Sequence, residues 1–263
     1  MTASFAPPPA DVGDGGPPAV TVDVEAVHAR LTFDVAVRQA HGTATIDFRV
    51  EGPDGRPALD LRQPVESLRL DGRPLPGDAF PHRDLGGGPG SEMRVLDVPL
   101  TTGGRHRLDI DYRVETPDAT GAEPVGWRDG GVRFDLWMSD LEPGRYLEMW
   151  VPAPLVHDRF ALEIDLEVTG TDREHVVVAN GDVTGGATSF RIRYPPHFTA
   201  LSPMLVVAPS DEVTDRRGMV ALAGRAAPLV LRCAAHRELE VDLAACEADV
   251  ASWLAYLAAR YGP

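Results

Sequence analysis

Histidine, cysteine, serine and paired carboxylates give a chain its catalytic and metal-binding chemistry, and this sequence holds all of them without the spacings that chemistry needs. Histidines stand at His28, His41, His82, His106, His157, His175, His197 and His236. A zinc-binding helix needs imidazoles at i and i+4 with a glutamate beside the first, so that both share a face and a base lies next to the metal-bound water. No His-Glu dipeptide occurs, and no two histidines fall at that spacing. They read as surface or hydrogen-bonded histidines. No Cys-x-x-Cys is present either; Cys233 and Cys246 read as free thiols of a reducing compartment. A serine nucleophile would want a Gly-x-Ser-x-Gly elbow, which is absent, and the glycine-rich run from Leu85 to Ser91 lacks the lysine of a phosphate loop. Glu163, Asp165 and Glu167, like Asp109 and Asp111, are spaced by two on alternating stretches. That spacing describes a solvated sheet face better than a pair of catalytic carboxylates. The expectation is no catalytic residue and no metal ligand in the chain.

One stretch stands apart. From Phe134 to Pro154 the sequence gathers four acids, an arginine, two tryptophans, a tyrosine and three prolines without sustained alternation. Such a run is either an edge loop packed on a core or part of a binding surface, and physics alone leaves both open.

The elements that would position it are mostly strands. Leu31, Phe33, Val35 and Val37 alternate with polar partners, as do Ala44, Ile46, Phe48 and Val50. Further strands are expected at Ser67–Leu70, Arg94–Leu100, Arg107–Val114, Gly131–Trp137, Met204–Ala208 and Pro228–Cys233. In Ala161–Val168 the residues Leu162, Ile164, Leu166 and Val168 point one way and the acids the other. Val176–Ala179 and Ser189–Tyr194 read as a hairpin about Asn180-Gly181-Asp182, because Asn-Gly suits a type I′ turn. From Asp242 to Tyr261 the period changes to three or four through Leu243, Cys246, Val250, Trp253, Leu254, Leu257 and Tyr261, with Asp242 as N-cap and Gly262 as stop. The fold class expected is mainly β, a sandwich or saddle of mixed sheets with one C-terminal amphipathic helix. Residues 1–19, rich in Pro, Gly and Ala, read as a disordered tail; 20–235 form the β domain and 240–263 the terminal helix.

The 263 residues include 40 acidic and 25 basic, for a net charge of -15. Few cations are free to neutralise phosphates, which argues against nucleic acid and against an anionic membrane surface. No apolar run is long enough to cross a bilayer, and the first residues lack the basic start and apolar stretch of a signal peptide. A cytoplasmic location is expected.

The order of several short motifs resembles the N-terminal, saddle-like β domain of the aminopeptidase N and leukotriene-hydrolase family of zinc metallopeptidases, peptidase family M1. They are Arg30-Leu31-Thr32-Phe33-Asp34, Gly42-Thr43-Ala44, Leu59-Asp60-Leu61 and Asp71-Gly72, then Ser139-Asp140-Leu141-Glu142-Pro143, Val151-Pro152 and Ala179-Asn180-Gly181. The final Ala259-Arg260-Tyr261-Gly262-Pro263 is similar to the family's entry into its catalytic domain, so the resemblance spans roughly residues 22 to 263. It implies a substrate-side domain that is non-catalytic without its other half. Glu142, and with it Asp140, would bind the free α-amino group of a peptide, since a carboxylate accepts charge-assisted hydrogen bonds from an ammonium. Asp140 and Glu148 would make the rim around Glu142 strongly negative. Ser139 and Asp140 stand where the family has Thr and Gln, and Arg145 is shifted. Zinc and its ligands would belong to an absent catalytic domain or a separate catalytic subunit. Two other readings of the chain are a stand-alone β module that binds a peptide or protein, and a non-catalytic subunit that covers another chain's catalytic half.

Overall fold

The computed structural model describes residues 9–85, 92–115, 125–136, 146–154 and 158–262. The chain divides into two compact units, Met1–Val207 and Ala208–Pro263. It is mainly β. In chain order the strands are β1 (Ala19–Val20), β2 (Val22–Asp34), β3 (Gln39–Val50), β4 (Arg56–Leu59), β5 (Val65–Leu70), β6 (Arg73–Leu75), β7 (His82–Asp84), β8 (Glu92–Val95) and β9 (Arg105–Val114). They continue with β10 (Val125–Arg128), β11 (Gly131–Leu136), β12 (Ala161–Thr169), β13 (His175–Ala179), β14 (Asp182–Gly186), β15 (Ser189–Arg193), β16 (Leu205–Pro209), β17 (Val213–Val220) and β18 (Leu229–His236). Helix α1 covers Leu243–Tyr261.

The first unit is built on an eight-stranded sheet in the order β14-β15-β12-β2-β3-β9-β5-β6. Its one parallel pair is β12 with β2. Two four-stranded sheets, β10-β11-β16-β13 and β1-β4-β8-β7, complete it. Alternation sets which face turns inward. Along β2, Val27, Ala29, Leu31 and Phe33 are buried, while His28 and Arg30 face solvent. The phase slips between Val24 and Ala26, where a bulge lets Val22 and Val24 share that inner face despite the odd spacing. Ile46, Phe48, Leu162, Ile164 and Leu166 join them in one core, as the sequence pattern predicts. Phe134 of β11 meets Phe33 at a 5.1 Å centroid distance and Trp150 edge-on at 5.2 Å, so the sheets are tied through aromatic contacts.

The expected acidic ladder is outward-facing but not freely solvated. Asp165 is buried because Arg191 of β15 and His28 of β2 lie across it. Within the expected tail, Ala10 bridges Ala19, and Asp14 forms a two-pronged pair with the buried guanidinium of Arg56 at 2.6 and 2.9 Å.

The Asn180 hairpin requires correction. Asn180-Gly181 joins β13 to β14, which lie in different sheets, and β15 pairs with β14 instead. The true turn is Ala187-Thr188, with Ala187 at φ 61 and Gly185 at φ 96. Asn180 is used as a clamp: its amide donates to the Ser202 carbonyl and accepts from Met204 N–H, both at 2.8 Å. Gly181 is required by close approach, since a Cβ there would stand 2.6 Å from the Arg193 carbonyl oxygen.

In the second unit, β17 and β18 form an antiparallel hairpin. Asp242 caps α1, its carboxylate accepting from Ala244 and Ala245 N–H at 3.0 and 3.1 Å. Glu247 reaches Arg216 of β17. Only Leu243 of the helix is buried, while Trp253, Tyr256, Leu257 and Tyr261 are exposed.

Candidate functional site

Asp140 and Glu142 lie outside the described residues, as does His157. What is described is the ground on which their segment is mounted. Tyr146 leads into a single 3-10 turn, Leu147–Met149, and the chain then runs through Trp150, Val151 and Ala153, all buried. Residues 60–63, which continue β4, hold this stretch. Asp60 and Ala153 exchange backbone hydrogen bonds at 3.0 and 2.8 Å, and Arg62 N–H donates to the Glu148 carbonyl at 2.9 Å.

Gln63 is the hub. It is 1% exposed, and a buried amide must place all its polar atoms or lose stability. Its Nε2 donates to the carbonyls of Glu115 and Met149, and its Oε1 accepts from Glu115 N–H at 2.7 Å. Arg94 of β8 fastens the same strand from the other side, donating to the carbonyls of Leu61, Phe80 and Gln63 at 2.8, 2.7 and 2.6 Å. Nothing in the sequence marks Gln63 or Arg94 as special, because their partners are backbone atoms distant in the chain.

Three charges converge beside these anchors. Arg62 faces Asp60 two residues away on the same side of the strand, with Nε 2.8 Å from Oδ1 and Nη2 donating to Oδ2 at 3.0 Å. Burial nevertheless raises the Asp60 carboxyl to about 6, with Arg62 and then Arg94 opposing the rise. Glu148 is raised further, to about 7, by burial first and then by the Asp60 charge. Burial brings Arg94 down to about 10, so it stays charged, and it lowers the pKa of His82, which contacts the Leu61 carbonyl at 3.0 Å.

His175, His106 and His41 are tied into local structure. His175 is buried, with Nδ1 donating to the Arg173 carbonyl and Nε2 accepting from Val132 N–H, an arrangement that fixes its tautomer. His106 pairs with Asp71 at 2.9 Å, and Asp71 also accepts from Arg107 N–H, which closes the β5–β6 turn onto β9. His41 pairs with Glu66. Among the described residues one group has donors close enough to share a metal ion: His28, Glu163 and Asp165. Its carboxylates are already matched, Asp165 by Arg191 at 2.7 Å and Glu163 by Arg193. Two guanidiniums at ion-pair distance repel a dication, so these donors suit an ion-pair network and not a metal centre.

No protein-family model matches the chain, and no curated sequence matches it. Solved structures do. A two-domain M1 zinc metallopeptidase bound to L-tryptophan superposes with a TM-score of 0.64 at 18% identity, over 98% of this chain and 56% of that one. An M1 zinc metallopeptidase from Deinococcus radiodurans gives 0.62 at 19% identity, over 92% of this chain and 54% of that one. Leukotriene A4 hydrolase from Saccharomyces cerevisiae gives 0.52 at 14% identity, over 74% and 30%. The chain thus spans about half the length of the M1 metallopeptidase structures it matches, an extent consistent with their N-terminal domain. The sequence carries no His-Glu-x-x-His, and among the described residues the His28 group is taken by arginines. Over that half, the fold of this chain is the fold of the M1 zinc metallopeptidases.

Proposed function

We propose that this chain is the substrate-side domain of an aminopeptidase-like zinc metallopeptidase, non-catalytic by itself, and that Glu142, with Asp140 beside it, holds the free α-amino group of a peptide. The observation that carries the reading is the superposition of nearly the whole chain on about half of an M1 zinc metallopeptidase. The surface of α1 supports it. An uncovered helix face bearing Val250, Trp253, Leu257 and Tyr261 costs free energy in water, and such a face belongs to an interface. In this reading zinc would be held by the catalytic half and would supply Lewis acidity there, while this chain would contribute binding. Gln63 does its part by fixing the Glu115 and Met149 ends of the neighbouring segments, and Arg94 by holding the carbonyls of Leu61 and Gln63.

The test is reconstitution with a catalytic half encoded with this chain or taken from a close relative. Glu142→Ala should raise KM for peptides with a free N-terminus by about tenfold or more, the scale of a lost charge-assisted hydrogen bond. It should leave the binding of N-acetylated ligands unchanged. Equal effects on both would reduce Glu142 to a structural residue. A catalytic half indifferent to this chain would favour a stand-alone β module.

A further inference from the structure

We propose that β18 and α1 are the first two elements of a β-α-β unit, completed by a strand of the catalytic half that adds in parallel to the free edge of β18. The identity of that partner rests on the function proposed above. The unfinished unit itself stands on Ala208–Pro263 alone.

Apolar exposure gathers in this unit. Of the eleven large apolar side chains that stand exposed among the described residues, nine belong to Ala208–Pro263. The same unit holds eight of the 40 acidic residues and six of the 25 basic ones, so it carries little of the net charge of -15. Exposed apolar surface with little charge is the make-up of an interface core.

The backbone shows what kind of interface. β17 and β18 form a sheet of two, and neither has another neighbour among the described residues. Two strands with one helix are too few to be stable by themselves, and every second N–H and C=O along each outer edge lacks a ladder partner. The two edges differ in character. β17 runs through the exposed charges Asp215, Arg216 and Arg217, which discourage pairing. β18 reads Leu-Val-Leu-Arg-Cys-Ala-Ala-His, and its one arginine donates to Asp215 at 2.7 Å. A near-continuous apolar run is the mark of a parallel-sheet strand covered on both faces. Only one face of β18 has its cover. Arg216 and Gly218 meet Glu247 of α1, so their cross-strand partners Cys233 and Leu231 share the helix side. On the other side Val230 and its partner Met219 are 71% and 75% exposed.

Helix α1 has the course of a crossover. Residues 237–242 turn the chain after His236, with Glu240 at φ 50, and by Glu247 the helix has already doubled back to the level of Cys233 and Leu231. Nineteen helical residues span about 28 Å and eight strand residues about 26 Å, so α1 returns the chain to the starting end of β18. A strand that follows such a helix lies parallel beside the first one. Leu243, Glu247, Leu254 and Ala258 turn one stripe of α1 toward lower exposure, yet Val250, Trp253, Tyr256 and Tyr261 are apolar on the remaining surface. A helix apolar on more than one side belongs inside a larger structure. The M1 metallopeptidase that superposes on 98% of this chain does so with 56% of its own length, and the rest of such a chain is the source of the strand.

Backbone hydrogen exchange on the full chain, alone and mixed with the catalytic half, tests this. In the chain alone, every second amide of Leu229–His236 should exchange as an open edge. In the mixture those amides should slow by about a hundredfold or more, while the outer edge of β17 stays unchanged. Short Hα–Hα contacts, which mark antiparallel pairs, should not join β18 to the added strand. Val230→Lys should leave the exchange pattern of the chain alone unchanged, because the side chain is in water, and should weaken association about tenfold or more. An associated mixture with the β18 amides still fast would overturn the proposal. So would slowing along β17 instead, antiparallel contacts, or two halves that do not associate. Slowing that grows with concentration in the chain alone would give the edge to a second copy and overturn it as well. The amine-binding reading fails separately: protected β18 amides with no effect of Glu142→Ala sink that reading alone, and restored hydrolysis with unprotected β18 amides sinks the added strand alone.

Discussion

At Gly42 the backbone of β3 passes beneath the ring of Tyr112, its partner on β9, so closely that a Cβ would stand 2.2 Å from the ring. Tyr112 is wholly buried and cannot swing aside, and burial raises its phenol pKa far above the ordinary value. Gly42→Ala should therefore lower stability by about 1–3 kcal/mol through overpacking. A urea-denaturation change of less than about 0.5 kcal/mol, the usual size of surface effects, would contradict the contact. Ile164→Ala should cost about 2–5 kcal/mol, because its side chain lies in the core with no exposure. Single residues such as Ile164 were legible in the sequence, since strict alternation assigns a face. Asp60, Gln63 and Arg94 were not. Their roles come from backbone carbonyls and from burial contributed by β7, β8 and the 146–154 stretch, and no local pattern encodes those.

The strands that read correctly are those with one wet and one dry face. β3, β9 and β12 belong to this class, and their register follows from the same alternation. The first expected strand, from Leu31 through Val37, meets β2 only over Leu31–Asp34, because Val35 to Arg38 form the turn into β3, with Arg38 at φ 54. β8 ends at Val95, short of the expected Leu100: one more bond to β4 runs from Leu96 N–H to the Pro57 carbonyl, then Val98 N–H turns back to Leu96, and Pro99 has no N–H to give. β17 was missed, since Val213, Met219 and Val220 do not alternate and the residues between are mostly polar. Helix α1 was found with its cap, and Asp242→Ala should cost about 0.5–2 kcal/mol, read from the denaturation midpoint. The packing of its apolar face was not legible, because periodicity says which residues line up and not what covers them. Trp253→Ser should leave the chain's own stability within about 0.5 kcal/mol. The same change should weaken association with a catalytic half. A large loss of stability in the isolated chain would mean that Trp253 is covered by the chain itself.

Across the whole molecule, two sets of carboxylates oppose one another in pH. Asp165 is lowered by its hydrogen bonds from Arg191 first and then His28, and Asp54 by those from Thr102. Their contribution is present above the unfolded value and is lost as the pH falls toward the lowered one. Glu148 and Asp60 do the reverse and cost stability as the pH rises from about 4 to about 7. Wild type should therefore lose about 1–3 kcal/mol relative to Glu148→Gln between pH 5 and pH 8. Parallel thermal-melt profiles of the two proteins across that range would contradict this.

At the same scale the fold is that of half an M1 zinc metallopeptidase, with no His-Glu-x-x-His in the sequence and exposed apolar residues on α1. The most direct measurement is hydrolysis of an aminoacyl-anilide, with zinc determined by elemental analysis, for the purified chain, for the catalytic half and for their mixture. The account predicts no zinc and no hydrolysis in the chain alone, and a mixture whose activity saturates at one chain per catalytic half. Stoichiometric zinc in the isolated chain, with hydrolysis abolished by a chelator, would contradict it.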